Sequence, residues 1–92
     1  MSISFKTIIK EYRENGYFYP NTLIYFRNKP HVGDDNPIQG TYNIGEYVIY
    51  DYVIIVNGHV WISWISKTGI RRYMPIREFK NGKYGEIWGT IK

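Results

Sequence analysis

Side chains capable of acid–base or nucleophilic chemistry are few in this sequence and stand far apart. The eight Asp and Glu residues are scattered, and the two histidines, His31 and His59, have no carboxylate at a ligand spacing. General acid–base and nucleophilic catalysis need such groups within hydrogen-bond reach of each other. Asp34-Asp35-Asn36 lacks the terminal Glu of a calcium-binding loop and is interpreted as a solvated turn. We therefore predict no enzyme activity in this chain, no metal site and no cofactor.

A more informative pattern lies in residues 51–66, DYVIIVNGHVWISWIS. Asn57-Gly58 separates two alternating runs and is a preferred centre of a two-residue type I′ turn. One face of the resulting hairpin carries core-like residues, namely Val53, Ile55, Val60, Ile62 and Trp64. The other, which we call the aromatic face, carries Tyr52, Ile54, Val56, His59, Trp61 and Ser63.

The aromatic face is unusual because a solvent-exposed strand face normally holds residues such as Lys, Glu and Thr. We therefore expect it to be covered by the N-terminal segment, by a ligand, or partly by each. His59 has no evident carboxylate or serine partner in the sequence. It is interpreted as a polar binding residue rather than a general base.

The composition is that of one small domain. Ten Tyr, three Trp and four Phe among 92 residues exceed what a core of this size needs, and tyrosine suits binding surfaces. The net charge of +4 favours polyanions only weakly, and no block of five like charges occurs. The absence of cysteine excludes disulfides and thiol chemistry. No apolar run is long enough for a membrane span or a signal peptide, so no membrane partner is predicted.

The remaining elements are predicted to be short strands. Residues 1–13 form a strand or extended arm, and the segment ENGYFYPNT forms a turn, a short strand and a second turn. Residues 22–27 form a strand, residues 28–40 an irregular loop, and Gly45 a turn into the hairpin.

After the hairpin, a three-residue loop at 67–69 leads into a strand that places Tyr73 opposite Ser63 on the aromatic face, with Met74 and Ile76 in the core. Pro75 predicts that this strand is an edge or about to end. Asn81-Gly82 forms another turn before a closing strand at 86–91. The fold class is therefore all-β, a small antiparallel barrel or sandwich of about six to eight short strands.

Three motifs carry a resemblance to a known family. They are a Gly-His-Val/Ile-Trp strand at 58–61, an Arg-x-Tyr-x-Pro-Val/Ile-Arg strand at 71–77, and the Trp-Gly-Thr-Ile-Lys ending at 88–92. With the upstream segments GEYVIYDYV and NTLIYFR, they resemble the bacterial SH3-like (SH3b) cell-wall-targeting domain of lysostaphin and staphylococcal phage endolysins. The resemblance covers residues 14–92. It implies an SH3-like barrel preceded by an N-terminal arm at 1–13.

The resemblance also implies a function. It points to a non-catalytic module that targets a covalently linked peptidoglycan hydrolase to Gram-positive, staphylococcal walls by gripping the glycine-rich cross-bridge. Carried over by position, the ligand groove uses the residues Tyr25, Arg27, Tyr52, Ile54 and Tyr73, with Phe5 and Thr7 on the N-terminal strand. His59 and Trp61 are added from the aromatic face. Tyr52 replaces a usual acidic residue, and Phe5, Thr7, Ile9 and Glu11 replace the usual ligand-facing strand, so a serine-containing bridge or a stem peptide is an alternative ligand.

Two other binding functions compete with this one. A single-stranded nucleic-acid binder would stack bases on aromatics in a basic groove. Arg71 flanks the aromatic face as such a binder requires, but most of the positive charge lies elsewhere. A eukaryotic-type SH3 module for Pro-rich ligands shares the barrel but not the Trp-Gly-Thr-Ile-Lys ending. We expect a monomer that acts outside the cell at the bacterial wall, exported by a phage lysis system or within a longer secreted chain.

Overall fold

The structure, a computed structural model, describes residues 7–92, and this part of the chain consists of strands, turns and loops. The strands are β1 (Lys10–Pro20), β2 (Ile24–Phe26), β3 (Gly40–Tyr42), β4 (Val48–Val56), β5 (His59–Ile65), β6 (Arg71–Lys80), β7 (Lys83–Tyr84) and β8 (Gly89–Ile91). Six form one antiparallel sheet in the order β7-β6-β5-β4-β1-β8, and β2 pairs with β3. Among the described residues, no helix is long and apolar enough to cross a membrane.

The predicted hairpin is confirmed in register and in turn type. β4 pairs with β5 through Tyr52–Ser63, Ile54–Trp61 and the intervening pairs. Asn57 and Gly58 both have positive φ, 53° and 78°, as a type I′ turn requires. The loop at 67–69 is also confirmed, because it places Ser63 opposite Tyr73 on β6.

Pro75 does not end the strand, because β6 continues to Lys80. The predicted edge is present locally, since β7 pairs only with Phe79 and Lys80 and leaves β6 at Pro75 paired with β5 alone. Pro75 pairs with Trp61, and the residue left outside the β5–β6 register is Ile76, because Val60 pairs with Arg77. A residue without an N–H group is tolerated at Pro75 because β7 does not pair with this part of the strand.

The prediction of a turn at Asn15-Gly16 was wrong, because both residues lie within the 11-residue strand β1. This strand pairs with β4 on either side of a register shift between Arg13 and Gly16. Glycine is needed here for space rather than for turning, since a Cβ at Gly16 would lie 2.6 Å from the hydroxyl oxygen of Tyr50. β1 thus runs without interruption through position 13, where the arm was expected to end.

The other predicted elements differ less from the structure. β2 falls inside the strand predicted at 22–27, and the following segment to Gln39 is an irregular loop. The closing strand is shorter than predicted, because β8 begins only at Gly89. A backbone bridge between Arg27 and Tyr73 joins the small sheet to β6.

The side chains form two buried clusters. The larger comprises Phe18, Ile24, Val48, Tyr50, Val53, Ile55, Val60, Ile62, Met74 and Ile76, with Trp64 packed against it, and so contains the predicted core face. The smaller comprises Ile54, Val56 and Trp61, against which Tyr52 and Tyr73 pack. The aromatic face therefore contains a second core as well as surface.

Candidate functional site

The inner part of the aromatic face is closed. Trp61 is fully buried and Ile54 is only 8% exposed. The indole N–H of Trp61 donates a hydrogen bond to the carbonyl of Val56 at 2.9 Å. Sequence reasoning expected both side chains to line the ligand groove, but in this structure they support it from beneath.

The open part is a row of residues that crosses four strands, β1, β4, β5 and β6, and ends at Arg27, just after β2. Successive backbone pairs place Arg13 beside Tyr52, Tyr52 beside Ser63, Ser63 beside Tyr73, and Tyr73 beside Arg27. Side chains directly opposite one another on a sheet lie within contact distance. Ser63 is small and completely buried, and it lies in the sheet between the two tyrosines.

A cleft of about 460 Å³ opens over this row. We call it the polar cleft, and its lining residues are Arg13, Asn15, Asp51, Tyr52, Arg71 and Tyr73. Its surface combines aromatic rings with fixed hydrogen-bonding groups, which is the usual make-up of a site that binds a polar ligand. Tyr52 and Tyr73 were predicted for the site from the sequence.

Arg71 is held in the cleft by three hydrogen bonds. It donates to the two carboxylate oxygens of Asp51 at 2.7 and 3.2 Å and to the hydroxyl of Ser63 at 3.0 Å. Its guanidinium carbon lies 6.0 Å from the centre of the Tyr52 ring, within the range of a cation–π contact. The hydrogen bond from Arg71 lowers the pKa of Asp51 and raises that of the guanidinium. The pair is therefore ionised, and it fixes the position of the Arg71 side chain.

Strand β1 forms the opposite wall and is connected to Tyr52. The Tyr52 hydroxyl donates to a Glu11 carboxylate oxygen at 2.5 Å, and this hydrogen bond raises the pKa of Tyr52. Thr7 is exposed just before the strand. Phe5, the remaining predicted ligand residue on this segment, lies outside the described residues.

Tyr25 and Arg27 line a neighbouring apolar groove rather than the polar cleft. Its lining residues are Thr22, Leu23, Ile24, Tyr25, Arg27, Val32, Pro75 and Trp88. The Arg27–Tyr73 backbone pair lies where the two depressions adjoin, with Tyr73 in one and Arg27 in the other. Arg27 Nε also donates to the carbonyl of Asn36 at 3.1 Å, so this side chain anchors the 28–39 loop.

His59 lies at the turn end of the hairpin, away from the polar cleft. Its ring is 5.5 Å from Trp61 and 6.1 Å from Trp88, measured between ring centres. Its Nδ1 is 3.2 Å from the carbonyl oxygen of Asn57. The structure thus places His59 in an aromatic cluster, whereas sequence reasoning grouped it with the ligand residues.

Four residues that line the polar cleft were not among the predicted site residues, namely Arg13, Asn15, Asp51 and Arg71. Of these, Arg71 was predicted to flank the aromatic face but was not assigned to the ligand site. Arg13 and Asn15 were missed because Asn15-Gly16 was interpreted as a turn, which hid the pairing of β1 with Tyr52. The proximity of Asp51 and Arg71 was available from the sequence in principle, since the predicted register brings β4, β5 and β6 side by side.

The polar cleft offers groups that can bind a polar ligand. Among residues 7–92, no group of three or more His, Cys, Asp or Glu side chains is placed to hold a metal ion. The acidic group in the lining, Asp51, is held ionised by Arg71. The lining supplies two phenol rings, the guanidinium N–H donors of Arg13 and Arg71, and the side-chain amide of Asn15.

Comparison with known proteins agrees with this architecture. The model of a family described as "Bacterial SH3 domain" matches residues 11–76. Endolysin 2638A of Staphylococcus phage 2638A is 42% identical over 59 residues, which cover 62% of this chain and 12% of the endolysin. Lysostaphin of Staphylococcus simulans is 35% identical over 81 residues, covering 86% of this chain and 16% of lysostaphin. The chain thus spans less than a fifth of these relatives.

Solved structures extend the match to the whole fold. A lysostaphin SH3b domain in a P4-G5 complex superposes with a TM-score of 0.81 at 34% identity, covering 89% of each chain. The cell wall targeting domain of the hydrolase ALE-1, a Staphylococcus capitis protein, gives a TM-score of 0.80 at 34% identity over 89% of this chain and 84% of that one. These matched regions are binding and targeting domains of larger proteins. The chain therefore belongs to the bacterial SH3 domain family, as the SH3b cell-wall-targeting type.

Proposed function

We propose that this domain anchors a peptidoglycan hydrolase to the staphylococcal cell wall by holding the glycine-rich cross-bridge in the polar cleft. The proposal rests on one observation above all: the row Arg13–Tyr52–Ser63–Tyr73–Arg27, with a tyrosine on each side of a buried serine. Family membership supports it, because relatives include lysostaphin and the glycyl-glycine endopeptidase ALE-1.

The width of the row favours a ligand without side chains. Tyr52 and Tyr73 lie on strands separated by a single strand, so their backbones are about 10 Å apart, which is twice the usual strand spacing. The two phenol rings, with the Arg71 guanidinium bonded to Ser63 at their base, bound a slot for an extended backbone. Residues with a Cβ are disfavoured there by steric exclusion, whereas glycine fits.

The polar groups of the cleft match the needs of a peptide backbone. Each non-proline residue of the ligand brings one N–H donor and one carbonyl acceptor, and burying these without partners is costly. Arg71 is fixed by Asp51 and Ser63, and Arg13 and Asn15 lie on the facing strand. These groups supply donors to carbonyls, while Tyr73 and Asn15 also supply acceptors to amides.

Binding to a single bridge should be weak. A glycine chain loses more conformational freedom on ordering than any other sequence. An affinity on the order of micromolar or poorer follows, with retention on the wall arising from many copies of the bridge. A linked hydrolase would then stay near its substrate, although the domain dissociates from each single cross-bridge and binds another.

The test is co-sedimentation of fluorescently labelled domain with purified walls. One wall preparation carries pentaglycine bridges, and the other carries bridges shortened to a single glycine. We expect retention on the first to exceed retention on the second at least tenfold. Equal retention would overturn bridge recognition in favour of the stem peptide or a wall polymer, and no retention on either would overturn wall targeting.

A pair of matched variants assigns the binding to the cleft. Tyr52→Ala removes one wall of the cleft, whereas Tyr84→Ala removes a 54%-exposed tyrosine on β7, outside the cleft. We expect the first variant to lose pentaglycine-wall retention at least tenfold and the second to bind like the parent. Thermal unfolding of both checks that each is folded. Equal loss, or equal retention, in the two variants would contradict the assignment to the cleft.

A further inference from the structure

A cluster of exposed tyrosines lies beside the polar cleft without being part of it. Tyr17 and Tyr19 project from β1, and Tyr47 immediately precedes β4, with its ring centre 5.8 Å from that of Tyr17 and 5.5 Å from that of Tyr19. The three side chains are 44%, 38% and 50% exposed, and neighbouring Ile49 is 54% exposed. We call these four residues the tyrosine platform. Single exposed apolar residues are ordinary, but a contiguous aromatic surface indicates a binding role.

The side chains of the tyrosine platform are not part of the buried core. On β1 the intervening residue Phe18 is completely buried in the main cluster, so Tyr17 and Tyr19 point the other way. Among residues 7–92, the tyrosine hydroxyls that bond to protein are those of Tyr50 and Tyr52. The three platform hydroxyls are therefore free to bond to a ligand.

The chemistry of the platform favours one class of ligand, a sugar chain. Adjacent rings are tilted by only 34° and 32°, so they form a continuous surface rather than an edge-on cluster. A pyranose ring presents C–H groups on its faces, which pack on the negative face of an aromatic ring, and hydroxyls at its edge, which bond to phenols. The ring spacing is comparable with the length of one sugar unit in a linear chain.

The charges near the tyrosine platform favour an uncharged sugar chain over a polyanion as its ligand. In the described part of the chain, the cation placed over a platform ring is Lys92, which lies 5.3 Å from the centre of the Tyr19 ring. A nucleic acid or a polyphosphate would need several unpaired cations here. A purely apolar partner would strand the three phenol hydroxyls without hydrogen bonds.

We propose that the tyrosine platform binds the uncharged glycan strand of the wall, as a second contact beside the cross-bridge site. This inference rests on the proposed wall-targeting function. The two surfaces adjoin, because Asp51 of the polar cleft lies two residues from Ile49 on β4 and therefore on the same side of that strand. One domain then contacts both polymers of peptidoglycan, and two linked weak contacts bind more tightly than either alone.

The test uses chitotetraose, a soluble uncharged chain of four N-acetylglucosamine units, followed by NMR of the tyrosine ring resonances. We expect saturable shifts confined to Tyr17, Tyr19 and Tyr47. The double variant Tyr17→Thr/Tyr47→Thr keeps β-compatible side chains and should bind chitotetraose at least tenfold more weakly. Tyr84→Thr, which removes an exposed tyrosine elsewhere, should bind it like the parent.

A pentaglycine peptide titrated in parallel separates this inference from the cross-bridge proposal. The double variant should bind pentaglycine as the parent domain does. If neither the parent nor any variant binds pentaglycine, the cross-bridge proposal is overturned and the glycan inference is not affected. The glycan inference is overturned by absence of chitotetraose shifts, by shifts centred on Tyr52 and Tyr73, or by equal binding in the double variant. Sedimentation velocity adds one more decisive outcome: a dimer that the double variant dissociates would assign the platform to a second copy of the chain.

Discussion

At the scale of single residues, the polar cleft depends on contrasts in side-chain size. Ser63 is buried between two tyrosines, and its hydroxyl accepts a hydrogen bond from Arg71. Two residues further along each strand, the same face holds Ile54 and Trp61, which are buried in the smaller cluster. Because serine is small, the guanidinium of Arg71 can lie against it and bond to its hydroxyl, which a large residue at this position would prevent.

The Asp51–Arg71 ion pair gives the first prediction at this scale. Because Arg71 lowers the pKa of Asp51, the pair stabilises the fold above the ordinary carboxyl pKa of 3.8, and this contribution is lost as the pH falls through the lowered folded value. Both side chains are partly exposed, so the effect is less than about 1 kcal/mol. Asp51→Asn should lower the free energy of unfolding at pH 7 by this small amount and remove that part of the acid sensitivity.

Urea unfolding at pH 7 and pH 3 measures this effect, and Asp34→Asn on the exposed 28–39 loop is the matched control. A double-mutant cycle of Asp51→Asn with Arg71→Gln isolates the contribution of the ion pair to the free energy of unfolding. Equal pH dependence in the Asp51→Asn variant and the parent would show that the pair does not stabilise the fold. We also expect Asp51→Asn to weaken pentaglycine binding, because Arg71 loses the partner that fixes its position.

At the scale of elements, local patterns predicted most of the strands and only part of the site. The β4–β5–β6 register followed from Asn57-Gly58 and from alternation, since a slip of one residue would expose the core face. The path of β1 could not be predicted in this way. Gly16 is required for close packing against Tyr50, and a contact between residues so far apart in the chain leaves no local pattern in the sequence. The same error concealed Arg13 and Asn15. The burial of Trp61 also depends on tertiary packing.

The glycines provide a prediction about elements. A Cβ at Gly89 would collide with the carbonyl oxygen of Tyr19 and lie 2.5 Å from the Phe18 ring, whereas one at Gly82 would meet no atom within 4 Å. Tyr19 pairs with Thr90 beside this contact, so the backbone cannot move away without separating β8 from β1. Gly89→Ala should therefore cost about 3 kcal/mol or more through overpacking.

Gly82→Ala is the matched control, because its cost comes only from a φ of 75° and should be about 1 kcal/mol. Chemical denaturation of the two variants measures the difference. Equal destabilisation of the two variants would mean that β8 can shift relative to β1 at little cost in free energy.

At the scale of the whole molecule, most of the arginines are engaged within the fold. Four of the five arginines donate hydrogen bonds to the protein itself: Arg27, Arg71, Arg72 and Arg77. These guanidinium groups are fixed by acceptors within the protein and do not form a row of free cations along one groove. A binder that relied on phosphate contacts would instead present free cations along its groove.

This distribution predicts a weak dependence of wall binding on salt. A protein that makes six to ten phosphate contacts loses roughly 10³–10⁵ in affinity between 50 and 200 mM salt, because bound counterions are released. Hydrogen bonds and ring contacts in the polar cleft are much less sensitive, so retention on pentaglycine walls should fall less than about threefold over this range. Walls stripped of their anionic polymers are the control and should give the same flat response. A steep loss on intact walls alone would identify an anionic polymer as the principal ligand, in place of the cross-bridge.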